Sequence, residues 1–264
     1  MALPESLPVL VVVVVAFLLA TTAVGLGIGF GLERLWRRPV WALPVPAGQY
    51  GHELRGNVVF VVVVGAGLSA LLASGLVRFG DETLLRIALT FGALYLGFQA
   101  WFYALHRTLH LRGLVRFHRY HHESRVTTPL SGQSMGPVEA VGWTLGYTAM
   151  PLLFSFVAPI SAYGLIGYLA FNLVGNIVGH ANVEVVPPSK TLWLRSLLAT
   201  VFTYHALHHA RWTGHYGFAS TWADRLFRTE WADWPALHER VWSRQPLQSL
   251  KDRADPPELE TIKG

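Results

Sequence analysis

Histidine is concentrated in two short stretches of this chain. Five of the 12 histidines fall between residues 106 and 122, and three more fall between residues 205 and 209. Each stretch contains the triplet His-x-x-His-His, beginning at His118 and at His205. On a helix, positions i, i+3 and i+4 lie on one face, so each triplet directs three imidazoles to the same side. Imidazole is a good ligand for first-row transition metals, so this spacing predicts a metal site.

The histidines are too numerous for a single ion. Nine of them form the candidate ligand set: His106, His110, His118, His121, His122, His180, His205, His208 and His209. Transition metals usually take about four to six ligands, so nine nitrogens suit two ions, with one triplet expected for each. Asn176 lies one helical turn before His180 and can supply a tenth ligand, directly or through water. These residue types alone leave zinc, iron and copper open.

The remaining three histidines, His52, His215 and His238, stand apart from these patterns. A single histidine near a membrane surface is more often a hydrogen-bonding residue than a metal ligand. We therefore leave these three out of the predicted set.

The elements that position the histidines are predicted to span a membrane. The chain has 264 residues, of which 52% are hydrophobic and 14% charged, whereas soluble domains carry about 25% charged residues. Uncharged stretches cover residues 7–32, 57–77, 87–105 and 140–183. A spanning helix needs roughly 20 residues, so the last stretch suffices for two helices, with the turn at Pro159. The sequence thus predicts five spans.

Arginine placement predicts the orientation of these spans. Clusters of arginine follow the first span, the third span and the hairpin, whereas the loop before the third span balances its two arginines with Asp81 and Glu82. Because cytoplasmic loops are enriched in basic residues, we expect the N-terminus outside and both histidine stretches, with the C-terminus, in the cytoplasm. The arginines scatter around apolar spans without forming one stripe, which argues against nucleic-acid binding.

Two further segments carry weaker signals. Residues 192–204 are predicted to form one short amphipathic helix at the interface. From Ser243 onward the apolar periodicity is lost, which predicts a flexible tail. The expected organisation is an extra N-terminal span in residues 1–40, a catalytic membrane domain in 41–242 and the tail in 243–264. The expected fold class is all-α, an integral membrane helical bundle with a cytosolic helical cap that carries a dimetal site.

The order of the histidines resembles the fatty acid hydroxylase/sterol desaturase superfamily. The aromatic approach to the first pair at residues 102–107, the isolated-histidine segment at 179–183 and the closing segment at 222–229 are also similar, and the resemblance covers about residues 95–230. The closing segment departs from the family pattern through an inserted Ala223 and through Arg228 in place of glycine. His215 stands where the family often has asparagine, and Asn176 where some relatives have another histidine.

This resemblance implies a membrane-bound non-haem di-iron oxygenase. Its cofactors would be two iron ions, which zinc or another metal can replace in a recombinant preparation, with O2 as co-substrate. Its reaction would be hydroxylation of an unactivated C–H bond of a membrane lipid, with desaturation by the same site as the alternative. Acceptors behind the metal ligands should orient the imidazoles; the candidates by sequence proximity are Glu123, Glu184 and Asp224, for which surface salt bridges are the competing interpretation.

The electrons are expected to come from a separate protein. The chain has no Gly-x-Gly-x-x-Gly run for a dinucleotide, and it has no cysteine to hold an iron–sulfur centre. A ferredoxin, a b-type cytochrome or a reductase would serve as donor. Aromatic residues of the spans are candidates for a substrate tunnel, although ordinary packing explains them equally well: Phe98, Trp101, Phe102, Trp143, Tyr147, Phe154 and Phe171.

Three other functions compete with this interpretation. A histidine-rich metal transporter should place ligands, often carboxylates, in the middle of the membrane, whereas here the histidines lie at the ends of the uncharged stretches. A bis-histidine haem protein would need facing pairs rather than doubled triplets. A non-catalytic scaffold that keeps metal for stability is the third alternative.

Overall fold

The computed structural model describes residues 6–189 and 191–254, and this part of the chain is helical without a β-strand. Five helices are long and apolar enough to cross a membrane: α1 Leu7–Trp36, α2 Gln49–Ala73, α3 Leu84–Leu109, α5 Pro137–Val157 and α6 Ala162–Gly179. The shorter helices are α4 Val115–His122, α7 Leu192–Arg195, α8 Phe202–Arg211, α9 Trp222–Leu226 and α10 Trp234–Trp242, with a 3₁₀ helix at Pro129–Gln133. The predicted all-helical fold with five membrane helices is confirmed.

The five long helices form a bundle in which α1 packs on α2 and α6, and α5 packs on α2 and α3. Its interior is filled by apolar and aromatic side chains such as Leu94, Phe98 and Tyr168, each at most 2% exposed. Apolar side chains also cover the outside, as expected when lipid is the solvent. Gly25 permits the close approach of α1 to α6, because an added Cβ would lie 2.9 Å from the Ile177 Cδ1.

The hairpin between α5 and α6 turns at residues 158–161, which contain the predicted Pro159. Side-chain caps fix the starts of two helices: Thr83 accepts from the Arg86 amide at α3, and Ser161 accepts from the Gly164 amide at α6. The starts of α3 and α6 lie together, since the Ser161 amide donates to the Thr90 hydroxyl (2.9 Å). The C-terminal ends of both helices therefore bring His106 and His180 to the same end of the bundle as the histidines of α4.

Residues 37–48, 110–136 and 180–254, with the gap at 190, form what we call the cap. Its apolar core is built from Val40, Trp41, Tyr204, Leu207 and Trp234, all at most 2% exposed. The cap therefore has a hydrophobic core of its own beside the bundle.

The prediction of one continuous helix over 192–204 is wrong. Helix α7 ends at Arg195, and α8 begins only at Phe202. Between them the backbone pairs with another segment, since the Thr200 amide donates to the Ala219 carbonyl (2.9 Å) and the Thr221 amide to the Ser196 carbonyl (2.8 Å). These tertiary hydrogen bonds replace the helical ones that a continuous helix would need.

Residues 243–254 pack against the rest of the cap, so the packed chain extends beyond the boundary that composition predicted. The Leu247 side chain is fully buried, and its backbone exchanges hydrogen bonds with Val40 (2.8 Å) and Ala42 (2.9 Å). The rest of the predicted tail, residues 255–264, lies outside the described residues.

We expect Leu247→Ala to lower the free energy of unfolding by about 2–4 kcal/mol, because it leaves a cavity in the cap core. Thermal unfolding of the purified protein in detergent measures the change, with exposed Gln248→Ala as the matched control. Equal melting temperatures for the two variants would contradict the packing of this segment.

Candidate metal centre

The structure brings all nine predicted histidines together at the junction of bundle and cap. Among the described residues they form two groups in which one ligand atom per residue lies within 4.8 Å of all the others. The first group contains His106, His110, His118, His122 and His208, and the second contains His121, His180, His205 and His209. We call these the first group and the second group.

Each triplet is shared between the two groups, so the expectation of one triplet per ion is wrong. His118 and His122 belong to the first group while His121 belongs to the second; His205 and His209 belong to the second while His208 belongs to the first. In both triplets, positions i and i+4 serve one group and position i+3 serves the other. Successive helical residues turn by about 100°, so i and i+4 point in nearly the same direction while i+3 lies to the other side. Helices α4 and α8 therefore bridge the two groups.

Six of the nine rings are fixed through Nδ1. Five donate to backbone carbonyl oxygens: His106 to Tyr216 (2.8 Å), His121 to Ser134 (3.0 Å), His180 to Asn176 (2.6 Å), His208 to Gly214 (2.7 Å) and His209 to Ser124 (2.9 Å). The sixth, His118, contacts the Glu139 carboxylate at 2.7 Å. A carbonyl oxygen only accepts, so the proton lies on Nδ1 in the first five rings, and Nε2 carries the lone pair.

Among the described residues, two of the Nε2 atoms have no hydrogen-bond donor, and most of the others contact other imidazoles. The Nε2 atoms of His106 and His118 are buried without a hydrogen-bond partner. Other Nε2 atoms face each other: His180 and His205 at 3.0 Å, His205 and His209 at 3.2 Å, His122 and His208 at 3.1 Å, and His110 and His122 at 3.1 Å. Such separations fit adjacent ligands of one ion whose metal–nitrogen bonds are about 2.0–2.1 Å long. Because buried unpaired nitrogens are costly, the donor set fits a cation in each group.

Burial keeps these rings neutral at physiological pH. Eight of the nine are at most 5% exposed, and His110 is half-buried. Desolvation, together with a smaller effect of the nearby His121, lowers the pKa of His110 to about 4 and that of His180 to about 3. Desolvation likewise lowers the pKa of His121 to about 4. Since only the neutral ring can bind a metal, the fold holds the ligands in the required state.

Sequence reasoning missed Glu139, which lies in the first turn of α5 immediately before the uncharged stretch. It is 1% exposed, and its Oε1 contacts His118 Nδ1 and accepts from Trp143 Nε1 (3.1 Å). The signal that could have found it is a lone carboxylate four residues before a tryptophan at the membrane end of a span. Glu139 therefore supports a first-group histidine directly.

The three carboxylates proposed from sequence proximity have different surroundings. Glu123 is half-exposed and contacts His52 (3.4 Å). Glu184 accepts from the amide (2.9 Å) and hydroxyl (2.7 Å) of Thr203 at the start of α8. Asp224 accepts from backbone amides next to the first group. Thus none of the three contacts a histidine of either group. Glu184 holds the start of α8, which carries three of the rings, and Asp224 holds the backbone beside the carbonyls that accept from the rings.

The structure also shows where the other candidates from the sequence lie. His52, His215 and His238 lie outside both groups. The side-chain amide nitrogen of Asn176 donates to the Gly132 carbonyl, and the backbone carbonyl of Asn176 accepts from His180 Nδ1. A role for Asn176 as a tenth ligand stays a prediction.

A cavity of ≈ 100 Å³ connects the bundle with both groups. Its wall includes His106 and His118 of the first group and three histidines of the second. Of the seven aromatic residues proposed for a tunnel, Trp101 and Phe154 do not line this cavity. The other five do: Phe98, Phe102, Trp143, Tyr147 and Phe171. The arrangement can thus present an apolar chain to both histidine groups.

A membrane helical bundle with two buried polyhistidine groups defines the class of this protein, and comparison with known proteins defines its family. The model of the fatty acid hydroxylase family matches residues 91–229, just over half of the 264 residues. The chain belongs to this family, and the resemblance seen in its motifs is confirmed.

Three of the curated relatives are named for one activity. The very-long-chain aldehyde decarbonylase GL1-5 of Oryza sativa subsp. indica is 30% identical over 191 residues, covering 71% of this chain and 26% of that protein. For GL1-4 of the same subspecies the identity is 30%, covering 60% and 25%. For the decarbonylase CER1 of Arabidopsis thaliana it is 28%, covering 54% and 23%. The chain thus spans about a quarter of the length of these relatives. No solved structure matches it.

The metal-free protein should lose stability as the pH falls below 6.5. The ordinary pKa of histidine is 6.5, and the fold lowers it to about 4 for His110 and His121. Between these values the unfolded chain binds protons that the folded chain does not, so stability is full above pH 6.5 and declines toward pH 4. Ordinary carboxylates are still ionised down to about pH 5. A melting temperature of the chelated protein that stays constant from pH 7 to pH 5 would contradict this.

His215 provides a second test, because its backbone lies in the left-handed region at φ 53°. Its ring stacks on Tyr204 and hydrogen-bonds to the Tyr204 carbonyl and the Trp231 amide. Asparagine tolerates this conformation, whereas a β-branched residue is strained by about 1–2 kcal/mol. Both variants lose the stack, worth about 1 kcal/mol, and the two hydrogen bonds of the ring, but only His215→Val adds the backbone strain, so His215→Asn should remain more stable than His215→Val in thermal unfolding. Equal losses for the two variants would contradict the backbone argument.

Proposed function

We propose that this chain is the catalytic core of a membrane-bound di-iron lipid oxygenase that hydroxylates an unactivated C–H bond. The observation that carries the proposal is the pair of buried groups of neutral imidazoles beside an aromatic cavity. The overall reaction consumes one O2, two electrons and two protons for each alcohol formed, and it releases one water. A separate donor supplies the electrons.

The first group would hold one ion and the second group the other. Bound iron would supply the activation of O2 and the oxidation of the C–H bond. The protein holds five of the ligand rings in one tautomer through their Nδ1 partners, and its aromatic wall would exclude water from the reacting region. A lipid chain can enter the cavity from the bundle and lie against His106, His118 and the second-group rings.

Iron is preferred over zinc by the size of the ligand set. Catalytic zinc sites usually use three protein ligands and one open position. Groups of five and four imidazoles exceed this number, and the family supports oxidative lipid chemistry.

Two other reactions are compatible with the same site. Desaturation would remove a second hydrogen instead of adding oxygen. Conversion of a long-chain aldehyde is favoured by the names of the curated relatives, which are very-long-chain aldehyde decarbonylases. We keep hydroxylation as the leading proposal because the family model that matches the chain is that of the fatty acid hydroxylases.

The electron donor is proposed to be a ferredoxin, a b-type cytochrome or a reductase. Exposed arginines surround α4, beside the first group: Arg112, Arg116 and Arg119. Their charge would attract an acidic donor to this side of the cap. The proposed orientation places this side in the cytoplasm.

Mass spectrometry of lipids from cells with and without the protein tests the function. We expect products heavier by one oxygen atom, which disappear in the double variant His122→Ala, His209→Ala and persist in His238→Ala. Products lacking two hydrogens would establish desaturation, and products shorter by one carbon would establish aldehyde conversion. Absence of all three with a competent donor and two bound irons would overturn the enzyme proposal.

A further inference from the structure

Two loops supply four of the five carbonyl oxygens that orient the histidine rings. The first loop, residues 124–134, provides Ser124 and Ser134, which accept from His209 and His121 of the second group. The second loop, residues 214–217, provides Gly214 and Tyr216, which accept from His208 and His106 of the first group. Each loop therefore serves one group only.

A buried carboxylate of α2 anchors the first loop. Glu53 is 0% exposed and accepts from three hydroxyls of this loop: Ser124 (2.7 Å), Thr128 (2.6 Å) and Ser131 (2.9 Å). Two amides in the same row of α2 donate to loop carbonyls, Gln49 to Val126 and Asn57 to Leu130, both at 2.8 Å. The side chains at i, i+4 and i+8 thus follow the loop along one face of the helix.

Gly56 brings α2 directly against the end of this loop. A Cβ at Gly56 would lie 2.6 Å from the Met135 nitrogen and 2.8 Å from the Ser134 Cα. The Ser134 carbonyl, which holds His121, is consequently fixed by close backbone packing as well as by hydrogen bonds.

A different buried carboxylate anchors the second loop. Asp224, at 0% exposure, accepts from the amides of Tyr216 (2.8 Å) and Gly217 (2.7 Å). It also accepts from the hydroxyls of Thr229 (2.7 Å) and Tyr204 (3.0 Å). These hydrogen bonds tie the second loop to α8 and to the segment that follows α9.

We propose that Glu53 and Asp224 are positioning residues that act on different ions, Glu53 on the ion of the second group and Asp224 on that of the first. This inference rests on the proposed dimetal function. A carboxylate that accepts several hydrogen bonds cannot be replaced by an amide without losing acceptors, since the amide nitrogen only donates. The loop then shifts, and the two rings that depend on it lose their direction.

Cobalt loading of the purified full chain tests the proposal. Wild type should bind two Co²⁺ per chain. In Glu53→Gln the dissociation constant of one ion should rise about 10–100-fold, the usual effect of losing an outer hydrogen-bond partner. At limiting Co²⁺ the visible absorption spectrum of this variant should match that of His209→Ala. Asp224→Asn should weaken the other ion by a similar factor, and its spectrum should match that of His208→Ala.

Two further variants separate positioning from general loss of folding. Ser124→Ala removes one hydroxyl from Glu53 but keeps the carbonyl, so it should weaken the same ion as Glu53→Gln by a smaller factor, even if Glu53→Gln does not fold. Glu123 is the exposed neighbour of Ser124 in the sequence, and Glu123→Gln should leave both dissociation constants unchanged.

The possible failures are distinguishable. If wild type binds fewer than two Co²⁺, the proposed dimetal function is overturned. If wild type binds two and the Glu53 and Asp224 variants keep both ions, or weaken both equally, only the positioning proposal is overturned. Ser124→Ala weakening the first-group ion would overturn it as well.

Discussion

The hydrogen bond from a histidine Nδ1 to a fixed oxygen is the interaction on which the rest of the site depends. It determines the tautomer, and with it the nitrogen that offers a lone pair. It also fixes the ring about its last torsion, which a helix alone leaves free. Because five of these oxygens belong to the backbone, the direction of the rings is set by the position of irregular segments. The accuracy of the site is therefore determined by what holds those segments in place.

This requirement explains why so many polar groups are buried where apolar packing would cost less. Glu53, Glu139 and Asp224 are all at most 1% exposed. Several hydrogen-bond donors surround Glu53 and Asp224 and reduce the cost of their burial, whereas Glu139 Oε2 has no partner among the described residues. The unpaired Nε2 atoms of His106 and His118 have no such compensation within the described part of the chain. A cation bound at these nitrogens would remove that penalty, so metal binding and the stability of the cap are coupled.

The sequence predicts the helices and the identity of the clustered histidines because both follow from periodicity. Uncharged stretches define the spans, and the spacing within each triplet defines a helical face. Periodicity describes one helix at a time, so it could not show that His121 and His208 cross to the other group. Glu53 and Glu139 lie at the ends of spans, where a carboxylate is ordinarily solvated. The carbonyls of Ser124 and Gly214 are beyond sequence reasoning, since every residue has one and only the tertiary fold brings it to a ring.

The two groups differ in their number of histidines and in how many of these histidines line the cavity. The second group has four imidazoles against five in the first, and three of its four line the cavity, compared with two of the first group's five. The backbone carbonyl of Asn176 accepts from His180 of the second group, and its side-chain amide nitrogen donates to the Gly132 carbonyl. An ion in the second group would have fewer histidine ligands and a larger share of them on the cavity wall. An exchangeable ligand of that ion would be most easily accommodated from the cavity, which is the side from which the proposed lipid chain would approach.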